Sequence, residues 1–506
     1  MIEAIEKRQI LAIIFVLIIS FTLRLYNLGF HEFWYDEVVT VNYAQNPYGN
    51  WGSFNAPLYW LFLHFWIKLF GISEFSLRFP SLIFSFFSVI LIYLLGKILF
   101  DRMVGIFAAI FMGLSPFHLW YAQEARDYSM ALFLGLASSY FLYKALRGGQ
   151  NRSWLFFIFV SIAALYTNYF FIFLFFAQAF YILISRKIKL KIHKLGYFLL
   201  ISLGFIFYLP HFLRKFYYLW HGFWIPVPHY KSLVITLENF MLGYSGFRSL
   251  YLIADILAGL LFITTLLIVH RKNKLKENFV FSLFLFFVPI MLIFFFSKAL
   301  FSIYLDRGLI IFSPYFYIVL SLGIVFMKRI RKVVILSVLI LVLFIADYGY
   351  FRDWFFMPYE HHVGSYIKKP IKGIIKFLEK NVKPEDIIAF TNESAMLPFH
   401  FYSYGIPFRL YHFFNPRILS STWQRPLQEG EFCKPYYKIN QLKFKRLWIV
   451  SSDWARSGEL DENSQTIKEW MDKNLNLEFV EEYDGLFIFR YSNHIKNADD
   501  KEAIIN

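Results

Sequence analysis

Eleven apolar stretches dominate the first 347 residues: Ile10–Tyr26, Phe79–Phe100, Val104–Leu119, Ser129–Leu146, Trp154–Tyr166, Tyr169–Ile184, Gly196–Phe212, Leu250–His270, Phe279–Phe296, Leu309–Met327 and Val333–Asp347. Most approach the length needed to cross a hydrocarbon layer of about 30 Å. Trp154 to Ile184 is too long for one untilted span at ~1.5 Å per residue, and the polar pair Thr167-Asn168 divides it into two short helices. Pro57–Phe70, PLYWLFLHFWIKLF, is apolar but short. It reads as an amphipathic helix lying in the outer interface, its Trp and Tyr at headgroup depth. Counting it as a span would reverse every later loop.

From Tyr348 the pattern changes. IKGIIKFLEKNV carries apolar residues at Ile371, Ile374, Ile375 and Leu378, one face of a helix. DIIAFT, RLWIVSSD and LFIFRY read as strands, and SQTIKEWMDKNL as another helix. The expected fold is an α-helical polytopic membrane protein of about eleven transmembrane helices plus one interfacial helix, with an extracytoplasmic α/β domain. The expected boundaries are 1–347 for the membrane domain and 348–506 for the α/β domain.

Composition agrees with that class. The 506 residues are 58% hydrophobic and 17% charged, against about 25% charged in soluble domains. The first apolar run lacks a small-residue cleavage site, so it is expected to stay as the first helix. The net charge of +16 does not point to nucleic acid. Lys and Arg cluster in alternate short links: Lys7-Arg8, Arg102, Lys144 to Arg152, Arg186 to Lys194, Arg271 to Lys276 and Lys328 to Lys332. Asn27 to Ala56 holds none. The amino terminus is therefore expected in the cytoplasm and the carboxyl-terminal domain outside, in the cell membrane. A single cysteine, Cys433, excludes an intrachain disulfide and a cysteine metal cluster.

The acidic residues narrow the chemistry. Of 35 Asp and Glu, 21 lie from Tyr348 onward, leaving 14 before it. In this topology Glu3, Glu6, Asp101 and Glu277 are cytoplasmic, and Asp255 lies inside a span. Glu32, Asp36, Glu37, Glu74, Glu124, Asp127, Glu238, Asp306 and Asp347 fall at the outer face. A mid-bilayer charge costs at least ~2.5–3.5 kcal/mol, and helix ends avoid that cost. A transporter favours ionisable groups near the midplane on interrupted helices, whereas an enzyme acting on a lipid headgroup needs them at the interface.

Four motifs carry candidate chemistry. In FWYDEVV, Asp36 and Glu37 diverge by about 100° on a helix, so one can serve as base while the other orients a neighbour; a solvated capping pair is the plainer alternative. WYAQEARDYS packs Gln123, Glu124, Arg126, Asp127 and Tyr128 into one loop, either a salt-bridge cluster or a phosphate fork. Asp306-Arg307 opens the tenth span, where Arg307 can anchor the interface or reach a phosphate. SFNAPLYW introduces the short helix, with Pro57 suited to its first turn. His31, Glu32, Asp36 and Glu37 offer oxygen-rich donors of the kind Mg²⁺ or Mn²⁺ takes, but their spacing matches no recognised metal pattern. NES at Asn392 fits a glycosylation acceptor, a short pattern that arises often by chance.

In order, an acidic pair in the first outer loop, PLYW leading a short helix, and QEARDYS after the third span resemble the C-type superfamily of membrane glycosyltransferases, near the protein O-mannosyltransferase and aminoarabinose-transferase branches. Arg307 followed by Pro314 is similar to their RY…P segment, with Gly308 where an aromatic is often found. The resemblance covers roughly Met1 to Asp347. It implies a polyprenyl-phosphate-linked sugar as donor, a membrane-lipid setting, and inverting transfer on the outer side to a protein, glycolipid or polymer acceptor. By that similarity Asp36 matches the catalytic acidic residue, a general base, and Glu37 its partner. Arg126 and Arg307 would sit near the donor phosphate, and Glu124, Tyr128 and Tyr59, from the same motifs, would touch substrate. No metal ligand is assigned, and a divalent cation is left open. The chemistry agrees: a sugar phosphate already has a leaving group that positive charge can stabilise, while the acceptor hydroxyl needs a base. Other readings are a lipid or polysaccharide transporter, and a receptor whose outer domain binds a ligand.

Overall fold

The structure is a computed structural model and describes residues 2–47, 56–148, 151–185, 191–220, 224–365, 368–413, 432–433, 439, 444–452, 460–483 and 485–493. Ser53–Asn55 of the fourth motif and the basic residues Arg186, Lys187 and Lys189 lie outside the described residues. The chain packs as two compact units, one of Met1–Leu28 and Trp51–Ser365, the other of Gly29–Asn50 and Tyr366–Asn506. Gly29–Asn50 thus group with the carboxyl-terminal residues, and residues 348–365 with the helical unit.

The first unit is helical: α1 (Ile2–Leu25), then α3 (Leu58–Phe70), α4 (Glu74–Leu99), α5 (Arg102–Gly113), α6 (Pro116–Ala122), α7 (Tyr128–Gly148), α8 (Asn151–Leu165), α9 (Phe171–Ile184), α10 (Lys191–Phe205), α11 (Leu209–Trp220), α12 (Tyr230–Leu242), α13 (Arg248–Arg271), α14 (Asn273–Ala299), α15 (Asp306–Leu309), α16 (Ser313–Val325) and α17 (Arg329–Phe351). Each of the eleven apolar stretches falls on helix. Among the described residues, seven helices are long and apolar enough to cross a membrane, or nine if two bent pairs count as one span each. The two runs split at Thr167-Asn168 are shorter helices of 15 and 14 residues. Helix α3 has 13 residues, about 20 Å at 1.5 Å per residue and short of a span.

The bent pairs have local causes. Between α5 and α6 the axis turns 63°. Ser115 precedes Pro116, a position that disfavours helix, and its hydroxyl accepts the His118 N–H at 3.4 Å to cap the new helix. The carbonyls left open at the end of α5 are taken by Arg24 on α1: its Nη2 donates to Met112 O at 3.0 Å and its Nη1 to Gly113 O at 2.8 Å. The same guanidinium donates to Ser85 Oγ and to Ser20, and Arg24 is fully buried. Helices α4 and α5 touch backbone to backbone, since a Cβ on Gly105 would collide with Tyr93 O; small residues permit such approach between membrane helices.

In the second unit, α2 (Tyr35–Gln45) and α18 (Ile371–Asn381), α19 (Glu393–Tyr402) and α20 (Glu462–Asn474) accompany a six-stranded sheet. Its strands are β1 (Ile387–Phe390), β2 (Leu410–His412), β3 (Phe432–Cys433), β4 (Arg446–Ser452), β5 (Leu475–Tyr483) and β6 (Leu486–Asn493), in the order β3-β2-β1-β4-β6-β5. β1 to β4 run parallel, and β6 and β5 add antiparallel. β1 is buried throughout, as a central parallel strand should be. β5 alternates between exposed and part-buried positions and sets Glu478, Glu481 and Glu482 on an edge, which discourages edge pairing.

This unit carries an acid sensitivity. Burial first, then His400, lowers the His412 imidazole from 6.5 to about 3. Burial raises Asp386, but bonds from Arg446, the Lys383 N–H and Trp448 outweigh it and hold the carboxyl below its usual range. Both folded values lie under the unfolded ones, so their stabilisation is present at neutral pH and is lost as pH falls; for His412 the window runs from about 6.5 to about 3. At pH 4.5 His412 alone is expected to cost about 2–3 kcal/mol at ~1.4 kcal/mol per unit. Hydrogen exchange of β1, β2 and β4 amides should rise between pH 7.5 and 4.5 in the whole protein, and less steeply in His412→Phe.

Candidate active site

In the helical unit the QEARDYS loop spans the turn between α6 and α7 and is pinned at several points. The Gln123 amide donates to the carbonyls of Arg24 (3.0 Å) and Tyr26 (2.7 Å) and accepts from the Tyr350 hydroxyl (2.7 Å). Glu124 is buried and its Oε1 accepts the Trp120 indole N–H at 2.7 Å, one helical turn away. Asp127 accepts from Asn168 Nδ2 at 2.7 Å, which ties the loop to the polar break between α8 and α9. The Arg126 carbonyl accepts from Ser81 Oγ (3.2 Å), which is also hydrogen-bonded to the Tyr59 hydroxyl (2.8 Å). Tyr59 is itself buried, so it supports the loop from behind.

This scaffold aims cations at one ring. The Arg126 guanidinium lies 5.7 Å from the Tyr128 ring centroid, and the Arg307 guanidinium 5.9 Å from the same ring. Arg307 is also 5.7 Å from the Trp224 ring and donates to Gly364 O at 2.8 Å. Three candidates read from two motifs, Arg126 and Tyr128 from one and Arg307 from the other, are therefore neighbours. A Cβ on Gly308 would collide with the ring of Phe170, the residue before α9, so this position has no room for a side chain.

Lys215 on α11 completes the group. Its ammonium stands 4.2 Å over the Tyr169 ring and within electrostatic range of Asp127 and Arg126. Sequence reasoning missed it. The available signal was the basic pair Arg214-Lys215 just beyond an apolar run that ends at Phe212. Asp306, next to Arg307, accepts from Thr236 Oγ1 (2.5 Å) and Asn239 Nδ2 (2.6 Å). Thr236 also faces an apolar cavity of about 480 Å³ between α12, α13, α14 and α16, lined by residues such as Leu237, Phe262, Phe287, Ile290 and Phe316, with Asp255 in its wall. That volume lies within the range of ligand pockets. Beside it Glu238 accepts or shares a proton with His361 Nε2 at 3.0 Å; this bond holds the Glu238 carboxyl below its usual range.

Asp36 and Glu37 sit in the second unit, in the first turn of α2, where carboxylates complement the helix dipole. The two neighbours have different surroundings. Glu37 is fully buried and folds back so that its Oε2 accepts the Trp34 N–H at 3.4 Å, the return half of a capping box. Asp36 is half-buried, and its carbonyl accepts from Thr40 Oγ1 at 3.0 Å. Glu32 is bound to the Lys372 N–H at 2.8 Å. Among the described residues no three His, Cys, Asp or Glu side chains converge as a metal site.

Residues 55–213 match the family described as dolichyl-phosphate-mannose-protein mannosyltransferase. No curated protein matches. The fold is similar to ArnT from Cupriavidus metallidurans in the apo state, with a TM-score of 0.61, 11% identity, and 96% of this chain and 98% of that one covered. ArnT from the same organism bound to undecaprenyl phosphate matches at TM-score 0.59 and 11% identity, over 95% and 97% of the two chains. The apo Archaeoglobus fulgidus oligosaccharyltransferase matches at 0.52 and 11%, over 97% of this chain and 75% of that one. The chain is thus a multi-span membrane protein with the fold of the C-type membrane glycosyltransferases, the superfamily its motifs resemble.

Proposed function

We propose that this chain is an integral-membrane glycosyltransferase that moves a sugar from a polyprenyl-phosphate donor to a hydroxyl on a protein, glycolipid or polymer acceptor, on the outer face of the cell membrane and with inversion. The observation that carries this reading is the pair of guanidiniums, Arg126 and Arg307, at 5.7 and 5.9 Å from the Tyr128 ring centroid, with Lys215 in electrostatic range of Arg126. Cations that accept charge on a departing phosphate supply the largest usual catalytic term, and Arg forks suit phosphate oxygens. The apolar cavity that Thr236 helps to line is suited to the isoprenoid chain. The likeness to an ArnT structure bound to undecaprenyl phosphate supports a lipid-phosphate ligand. Asp36, half-buried at a helix start, takes the acceptor's proton as the new bond forms; with no covalent intermediate a single displacement inverts the anomeric centre. The cytoplasmic amino terminus and external α/β domain follow from the distribution of Lys and Arg.

The test is transfer from a panel of radiolabelled polyprenyl-phosphate sugars to membrane acceptors. Arg307→Ala and Lys215→Ala are each expected to weaken donor binding by about 10- to 100-fold, from the ~1.5–3 kcal/mol of a charged hydrogen bond, measured by equilibrium binding of labelled donor. Unchanged affinity in both would remove the phosphate role. The bent pairs α5/α6 and α10/α11 are a feature shared with transporters. Movement of intact donor across vesicles without sugar release would favour that second reading.

A further inference from the structure

We infer that the carboxyl-terminal α/β unit is a positioning device for Asp36: α18 and α19 clamp the segment Glu32–Tyr35 and thereby fix where the Asp36 carboxylate points. The inference rests on the catalytic reading of Asp36 above.

Three hydrogen bonds hold the segment. Glu32 Oε2 accepts the Lys372 N–H in the first turn of α18 at 2.8 Å. The Phe33 N–H donates to the Tyr402 hydroxyl at the last residue of α19, at 2.6 Å. The Tyr35 hydroxyl donates to Glu393 Oε2 at the first residue of α19, at 2.8 Å. Both ends of α19 therefore grip the approach to α2. The Phe33 ring packs against Phe401 and Tyr402, and the Lys372 ammonium covers the Tyr402 ring at 4.6 Å. Burial, then the Glu393 carboxylate, push the Tyr35 phenol well above its ordinary range, so it remains a donor at working pH.

The grip is anchored in the sheet. Asn392 caps α19 through the Ala395 N–H (3.2 Å) and donates to Ser452 O and Asp461 Oδ2, both at 3.0 Å. These residues stand at the carboxyl ends of β1 and β4, where the strand order reverses, the place where open α/β sheets bind ligands. Here the crevice is filled by the chain's own Phe33, Trp34 and Tyr35, against Ile371 and Pro398, and only about 20 Å³ remains. That leaves room for about one water. The switch point of this domain holds a loop, and the loop carries the candidate base one residue further on. A catalytic group needs support of this kind, since an error of about 1 Å can cost about 100-fold in rate.

The clamp is tested by single-atom and conservative changes in the full-length protein. Tyr35→Phe is expected to lower kcat about tenfold with the KM for donor unchanged. Glu393→Leu should do the same, the double variant should be no worse than either alone, and Glu393→Gln, which still accepts the phenol, should lose no more than about threefold. Hydrogen exchange of α2 amides should rise at least about tenfold in Tyr35→Phe and Glu393→Leu, with β1 and β4 unaffected. Additive losses, or a raised KM with kcat intact, overturn the inference, as does α2 exchange that stays at the wild-type rate. If Asp36→Asn proves fully active, it is the catalytic reading that has failed, and exchange alone then decides the clamp: a rise upholds it and no change removes it.

Discussion

Asp36→Asn is expected to reduce sugar transfer about 10²- to 10⁴-fold, the usual contribution of a positioned general base, while labelled donor binds as before. The size follows from the proposed role of Asp36 and from the different surroundings of the two adjacent carboxylates. Glu37 is buried and occupied by the Trp34 N–H, so it serves the helix start. Asp36 keeps part of its surface open and is the member of the pair able to meet an acceptor hydroxyl. Asparagine preserves its size and one acceptor oxygen but cannot take a proton. Glu37→Gln, still an acceptor for the Trp34 N–H, should lose less than about tenfold and act mainly through stability, by about 0.5–2 kcal/mol as for other cap losses. Initial rates for the two variants, paired with donor binding, separate these roles. Equal losses in both would mean that the pair acts as a unit.

Arg24→Met is expected to destabilise the helical unit by about 3–5 kcal/mol, the cost of stripping one partner from a buried charged group. The guanidinium spends its donors on two carbonyls at the end of α5 and on hydroxyls of Ser20 and Ser85, and it lies in electrostatic range of the buried Asp347. Removing it leaves those carbonyls without their capping donor, and the buried Asp347 carboxyl loses a nearby positive charge. Lysine should rescue poorly, because three rotating donors cannot reproduce a five-donor fork. Thermal unfolding in detergent and the yield of folded, monodisperse protein are the readouts. A wild-type unfolding midpoint for Arg24→Met would show that the break between α5 and α6 does not need its cap.

The helices were legible because each apolar run is long and bounded by charge or by a polar break such as Thr167-Asn168. The α/β domain was partly legible. β1, β4 and β6 are strongly apolar, whereas β2 spans three residues and β5 carries three glutamates on a solvent edge, so neither stands out by composition. Arg126, Tyr128 and Arg307 could be nominated because each lies in a compact polar motif. Lys215 and Arg24 could not, since one shares a basic pair with Arg214 beyond an apolar run and the other lies within such a run, and only packing gives them partners. The grouping of Gly29–Asn50 with the sheet was hidden for a related reason: contact between Tyr35 and Glu393 spans 358 positions, and no local pattern encodes it.

That long separation sets a schedule for biogenesis. Helix α2 emerges from the ribosome early, but α18 and α19 follow more than 300 residues later, on the order of 15–60 s at about 5–20 residues per second. Throughout that interval the nascent first loop, with Trp34, Tyr35 and its two carboxylates, must wait undocked while helix after helix is threaded into the bilayer. A ribosome that stalls before Ile387 would leave a chain that is inserted yet still lacks its mate, a ready substrate for quality-control proteolysis.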